Sequence, residues 1–246
     1  MNRGWQAANF PNGLRAMADD SAGSNGGNDG HRARLRPRLF AGGGDALLDH
    51  ELIEYLLALA VPRRDTKPLA KKLIAQFGGI GPLLGAGAGT LRREGLSEGI
   101  IGALKIAQAT ALRLLETRIE GRPLLSSWEA LGDYLQAAMG HQSIEEVRVL
   151  FLNAKNLLIA NESLWTGSVD EASVHVREFI ARAMALGATA IIIVHNHPSG
   201  DPSPSRQDIL LTKELIDAGR HMKIAVHDHV IVGAQGRSSM RALGLI

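Results

Sequence analysis

Ala188-Thr-Ala-Ile-Ile-Ile-Val-His-Asn-His-Pro-Ser-Gly-Asp-Pro-Ser-Pro-Ser-Arg-Gln-Asp208 joins a short apolar run to a polar stretch dense in turn residues. The run 188–194 has the length and β-branched content of a strand buried on both faces. Side chains at i and i+2 of a strand point to the same side, so His195 and His197 converge while Asn196 faces away. Pro198 and the Ser, Gly and Pro residues after it force the chain off the sheet into a turn. A helix then runs from Ser205 to about Ala218, and Ser205-x-x-Asp208 has the form of a capping box, which by itself accounts for both residues. Two imidazoles with one carboxylate and an open position form the donor set of a catalytic zinc site. The same set also suits a mononuclear iron facial triad.

Working outward, the pattern alternates between strand and helix. Val147–Asn153 and Leu157–Ala160 read as strands on either side of an Asn-containing turn, and Ile224–Val232 as a closing strand. Ser127–Met139 and Ser173–Leu186 read as helices. Such alternation predicts a mixed α/β or α+β fold for residues 123–246. His227 and His229 repeat the i, i+2 spacing, but no carboxylate lies at a matching interval. They are expected to be one exposed histidine and one packed behind the site.

Upstream the periodicity is helical. Leu47, Leu48, Leu52, Ile53, Leu56, Leu57 and Leu59 recur at steps of three and four, predicting a helix that ends before Pro62. A second helix fits Thr66–Phe77, with Pro68 in its first turn and Gly78-Gly79 after its end. Leu91–Gly99 separates a short helix from a longer one over Ile100–Ile119, an arrangement like a helix-hairpin-helix, whose turn amides can meet a phosphate backbone. Where a Gly-hydrophobic-Gly turn is usual, this chain has Gly95-Leu96-Ser97. Gly121-Arg-Pro123 marks the boundary, giving a helical domain over 31–122 and a second domain over 123–246. Residues 1–30 are rich in Gly, Asn and Asp without a period and are expected to form a disordered tail. Arg32, Arg34, Arg36 and Arg38 alternate, as suits an extended strip meeting phosphates.

Composition bounds the function. The chain has 246 residues, 45% of them hydrophobic, 21% charged, and no cysteine. Disulfide scaffolds, thiolate zinc sites and cysteine nucleophiles are thereby excluded, so any transition metal must sit on His and carboxylates. No apolar run is long enough to span a bilayer and no apolar signal segment opens the chain, which predicts a cytoplasmic protein. Residues 1–122 carry 17 Lys and Arg against 12 Asp and Glu, and the rest carry 10 against 13. That asymmetry suggests two modules with different partners, the basic one able to bind DNA weakly.

His195-x-His197, seven residues, Ser205, two residues and Asp208 resembles the motif of the JAMM/MPN+ zinc hydrolases. The wording His195-Asn-His-Pro-Ser-Gly-Asp201 is closer still to the bacterial RadC family, formerly called DNA repair proteins. The resemblance covers about residues 124–246 through Val149-Leu-Phe-Leu-Asn153, Gly167, Arg177-Glu178 and Asp228-His229-Val-Ile-Val232. Val176 departs from the family, where Pro is usual, and so does His227, where an aliphatic residue is common. The resemblance implies a three-layer JAB/MPN domain, cytidine-deaminase-like, with a mixed sheet. It implies that His195, His197 and Asp208 bind Zn2+, that Ser205 hydrogen-bonds the developing oxyanion or the metal's water, and that a Glu of the first strand is the general base. Alignment on Val149-Leu-Phe-Leu selects Glu145, and pairing one residue later selects Glu146. Neighbours on a strand face opposite ways, so one of the two is expected to meet the metal.

Three functions therefore compete: a zinc-dependent peptidase or isopeptidase, a DNA-associated repair or recombination protein with a structural or nucleolytic metal site, and a mononuclear iron protein. The string His-Asn-His is not an HNH nuclease signature, whose three residues are far apart in sequence.

Overall fold

The computed structural model describes residues 28–62, 64–119, 121, 123–167 and 172–246. Most of the tail expected over 1–30 lies outside the described residues. The first helix, α1, spans Asn28–Gly42.

A cluster of short helices follows: α2 (Asp49–Ala60), α3 (Lys67–Phe77), α4 (Ile80–Gly85), α5 (Ala88–Arg93) and α6 (Glu98–Glu116). Ile53, Leu57, Leu73, Leu83, Leu91, Ile100 and Leu104 form their shared core. The hydrophobic stripe of α2 and the Gly78 stop of α3, where φ is +80°, match the predicted boundaries closely. The hairpin between α5 and α6 is a Schellman motif. Leu96 N–H donates to Leu91 O and Gly95 N–H to Arg92 O, with Gly95 at φ +80°. Ser97 is extended, at φ −71°, so the left-handed position falls on glycine.

The arginine run is not an extended strip. It lies in α1, where residues four apart share a face, so Arg32 and Arg36 point one way and Arg34 and Arg38 another. Arg38 makes a bidentate pair with Glu51 at 2.8 and 2.9 Å and donates to Ala46 O at 2.6 Å. Arg36 donates to the Tyr55 hydroxyl at 3.3 Å and Arg32 to the Pro62 carbonyl. These side chains fasten α1 to the chain around α2.

The second half is a five-stranded mixed sheet in the order β2-β1-β3-β4-β5, with β1 Glu146–Leu152, β2 Leu158–Thr166, β3 Ala190–Asn196, β4 Ala225–Gly233 and β5 Gly236–Ser239. β1 is antiparallel to β2 and β3, and β3 is parallel to β4. β3 is central and buried along its whole length, as its apolar run requires. Helix α7 (Trp128–Met139) covers one face through Leu131, Leu135 and Met139. Helices α8 (Ala172–Ala185) and α9 (Arg206–His221) cover the other, with Phe179, Leu211 and Leu215 against Val149, Phe151 and Ile193. The fold is thus mixed α/β: a helical N-terminal part followed by a three-layer sheet region. β2 runs six residues beyond its predicted end at Ala160, and β5 had no hydrophobic alternation to announce it. No helix among the described residues is long and apolar enough to cross a membrane.

Candidate metal centre

The site forms where β3 ends, beside the start of β1 and the first turn of α9. Val147 pairs with His195 across the antiparallel β1–β3 ladder. Continuing that register sets Glu145 opposite His197. His195 and His197 point to the same side, their Nε2 atoms 2.8 Å apart. The Pro198–Gly200 turn is closed by Gly200 N–H donating to His197 O, and Gly200 takes φ +88°. The backbone passes so close to Gly233 that a Cβ there would lie 2.2 Å from Gly200 O. His197 Nδ1 is 2.8 Å from Asp201 O. A carbonyl only accepts, so His197 Nδ1 carries the proton and Nε2 presents its lone pair.

Asp208 arrives from α9, held by the capping box. Ser205 Oγ accepts Asp208 N–H at 3.1 Å, and Asp208 Oδ2 accepts Ser205 N–H at 2.6 Å. Its carboxylate lies 3.4 Å (Oδ1) from His195 Nε2 and 3.6 Å (Oδ2) from His197 Nε2. Glu145 Oε1 is 3.9 Å from His195 Nε2. The structure therefore brings together His195, His197, Asp208 and Glu145, with Ser205 at the helix start beside them. Glu146 does not join them: its carboxylate pairs with Arg148 at 2.8 Å. Glu145, His195 and His197 place one donor atom each within 4.8 Å of one another, so this group could hold a metal ion.

The donor chemistry fits such an ion. Bonds of about 2.0–2.1 Å to a tetrahedral centre set neighbouring donors about 3.4 Å apart, the spacing of Asp208 from both imidazoles. The two Nε2 atoms, 2.8 Å apart, lie inside that spacing and at hydrogen-bond distance. Burial pushes His195 down to about 4, so it is neutral and able to ligate at pH 7. Asp208 raises His197 above the usual imidazole value. Burial works upward on Asp208, yet its hydrogen bonds and the neighbouring imidazoles hold it below the usual carboxylate range. Burial raises Glu145 from its ordinary value. The two carboxylates thus shift in opposite directions, Asp208 downward and Glu145 upward.

Two contributors escaped the sequence reading. Asn196 faces away from the imidazoles, as predicted, but its amide clamps the backbone that carries Glu145: Oδ1 accepts Glu146 N–H at 2.8 Å and Nδ2 donates to Ile144 O at 3.0 Å. Its signal was a polar residue between two histidines at a buried strand end. Thr212, one turn along α9 from Asp208, is fully buried and had no motif to mark it. His227 and His229 do not share a face, because β4 carries a bulge: Val226 pairs with Ile191 and Asp228 with Ile192, leaving His227 extra. His227 meets Asn156 Oδ1 at 2.7 Å, whereas His229 is buried against His195.

Residues 125–245 match the model of a family described as RadC-like JAB domain. A curated relative from Rhodobacter capsulatus, described as a UPF0758 protein, is 46% identical over 213 residues, which is 86% of this chain and 100% of that protein.

Proposed function

The chain belongs to the RadC family, and on that premise we propose that it is a zinc-dependent hydrolase of peptide or isopeptide bonds. The observation that carries this reading is the convergence of His195, His197 and Asp208 on one point, with Glu145 beside them. Nε2 of both histidines and the Asp208 carboxylate would hold the ion. Bound there, zinc would acidify a water and polarise the scissile carbonyl.

The rest belongs to the chain's own residues. Glu145 takes one proton from the attacking water and passes it to the leaving nitrogen; the C–N bond breaks, the water's oxygen and its other hydrogen stay on the acyl product, and an amine departs. The burial that raises Glu145 suits both halves of that transfer, because a carboxylate nearer neutrality accepts and returns a proton more readily. Ser205 Oγ accepts the Asp208 amide, which leaves its own O–H to donate to the developing oxyanion. Asn196 holds the backbone on both sides of Glu145 and so sets its reach.

Screening the zinc-loaded protein against peptide, isopeptide and DNA substrates, with His197→Ala as control, tests the proposal. Amide cleavage that disappears in the variant is the expected result. Cleavage of DNA alone, or one equivalent of iron and no zinc in protein purified without added metal, would overturn it.

A further inference from the structure

We propose that Thr212 and His229 act as positioning residues that fix the tautomer of His195, so that its metal-facing nitrogen is always the one without a proton. The inference rests on reading His195 as a metal ligand. It follows from a chain of three hydrogen bonds whose directions are forced, beginning at a group that can only accept.

Thr212 Oγ1 lies 2.5 Å from the backbone carbonyl of Asp208, one helical turn earlier. The carbonyl has no hydrogen, so the hydroxyl donates; the Met240 sulfur, at 3.6 Å, is a much weaker acceptor. A hydroxyl has one hydrogen. With it committed to Asp208, Thr212 Oγ1 can only accept from His229 Nδ1, 2.6 Å away, and that nitrogen therefore carries a proton. His229 is 1% exposed, and the carboxylate beside it in sequence, Asp228, turns elsewhere: Oδ1 accepts the amides of His229 and Arg241, and Oδ2 accepts the Ser239 hydroxyl. A buried imidazole without a carboxylate on its ring nitrogens is neutral, so His229 Nε2 is a lone pair. It faces His195 Nδ1 at 2.8 Å and accepts its proton. His195 Nε2 is then bare, and it is the atom that meets His197, Asp208 and Glu145.

The chain leaves one proposed ligand, His195, and returns to the backbone of another, Asp208, so it ties β3, β4 and α9 together behind the site. The β4 bulge at His227 makes this contact, because it turns His229 toward β3. A carboxylate at the His229 position would also accept from His195, but it would bring a charge into a fully buried place. An imidazole relaying to a hydroxyl gives the same direction without charge.

Thr212→Val is nearly isosteric and removes the hydroxyl. His229 Nδ1–H is then a buried donor without an acceptor, and moving that proton to Nε2 relieves it; His229 now donates to His195 Nδ1, which places the His195 proton on the ligating nitrogen. Zinc affinity, measured by competition with a chromophoric chelator, should fall about 10- to 100-fold, the usual effect of losing a partner of a metal-bound histidine. Thr212→Ser should restore it. Long-range 1H–15N spectra of the metal-free wild type should show both His195 and His229 protonated at Nδ1. In Thr212→Val both should switch to Nε2, a change that loss of packing alone would not produce. A wild-type spectrum with His195 protonated at Nε2, or a Thr212→Val protein with unchanged zinc affinity, would overturn the proposal. A wild type that takes up no zinc would overturn the hydrolase reading instead, and the spectra would still decide the chain.

Discussion

Glu145 and Glu146 are adjacent, chemically identical and placed in opposite surroundings. Glu145 precedes β1 and reaches the imidazoles; Glu146 begins the strand, turns to the other face and pairs with Arg148. Glu145→Gln should therefore keep a full equivalent of zinc, because this carboxylate lies farther from His195 Nε2 than Asp208 does, and should lose about 10²–10⁴-fold in turnover, because an amide cannot accept the proton. Glu146→Gln should leave zinc and turnover close to wild type. Zinc content by elemental analysis, beside turnover of a substrate from the screen, separates the two. A Glu146→Gln protein as inactive as Glu145→Gln would reverse the assignment. Period-two alternation made the choice between them binary from the sequence. It could not say which, because the face toward the metal depends on the pairing of Val147 with His195, 48 residues away in the chain.

At the scale of elements, α9 shows one feature with two uses. Its capping box satisfies the helix start and also aims the Asp208 carboxylate at both imidazoles. The competition between cap and ligand that the spacing Ser205-x-x-Asp208 presented is not a competition in space: the carboxylate accepts Ser205 N–H while it faces His195 and His197. The two proposed uses of Ser205 can be separated by substitution. Ser205→Gly costs only a few tenths of a kcal/mol as an N-cap, against about 0.5–2 kcal/mol for Ser205→Ala, yet both remove the hydroxyl. Thermal unfolding should rank the variants wild type, Gly, Ala, whereas turnover should fall equally in the two. Turnover that instead follows stability would assign Ser205 to capping alone. Local patterns were legible wherever one element carried the information: the buried β3 run, the α2 stripe, the glycine stop of α3. They failed where a partner decided. The alternating arginines of α1 read as an extended strip because nothing in residues 32–38 announces Glu51, Tyr55 and Pro62 as their acceptors. For His227 and His229 the expected split into an outer and a packed residue agrees with the structure, but the β4 bulge that produces it leaves no mark in the sequence.

Over the whole molecule, the helical part and the sheet region meet where α4 and α6 lie against α7, with His141, just after α7, against α4. Gly81 and Gly85 sit four residues apart on one face of α4, and His141 lies against that face. A Cβ at Gly81 would come within 2.9 Å of His141 Nε2, the end of a side chain that can shift. A Cβ at Gly85 would come within 2.8 Å of His141 Cβ, which cannot move without its backbone. Beside the contact lies a cavity of about 300 Å³, lined in part by Leu84, Leu112 and Ala137. The cavity offers no relief to Gly85, because the clash is with the first atom of the His141 side chain. Gly85→Val should therefore force α4 away from His141, at a cost of about 1–3 kcal/mol, typical of overpacking a close contact. Gly102→Ala is the matched control. Gly102 lies within α6, and apart from its chain neighbours and the nearby backbone of its own helix nothing comes within 4 Å of its added Cβ, so the substitution should stabilise the protein by about 0.5–1 kcal/mol through helix propensity alone. Zinc affinity should be unchanged in both, since His141 has no part in the group formed by Glu145, His195 and His197. Chemical denaturation with a zinc titration alongside would check this. A Gly85→Val protein as stable as wild type would show that the two parts do not depend on that contact, and one that lost zinc at full stability would show that the helical part reaches the metal centre by another route.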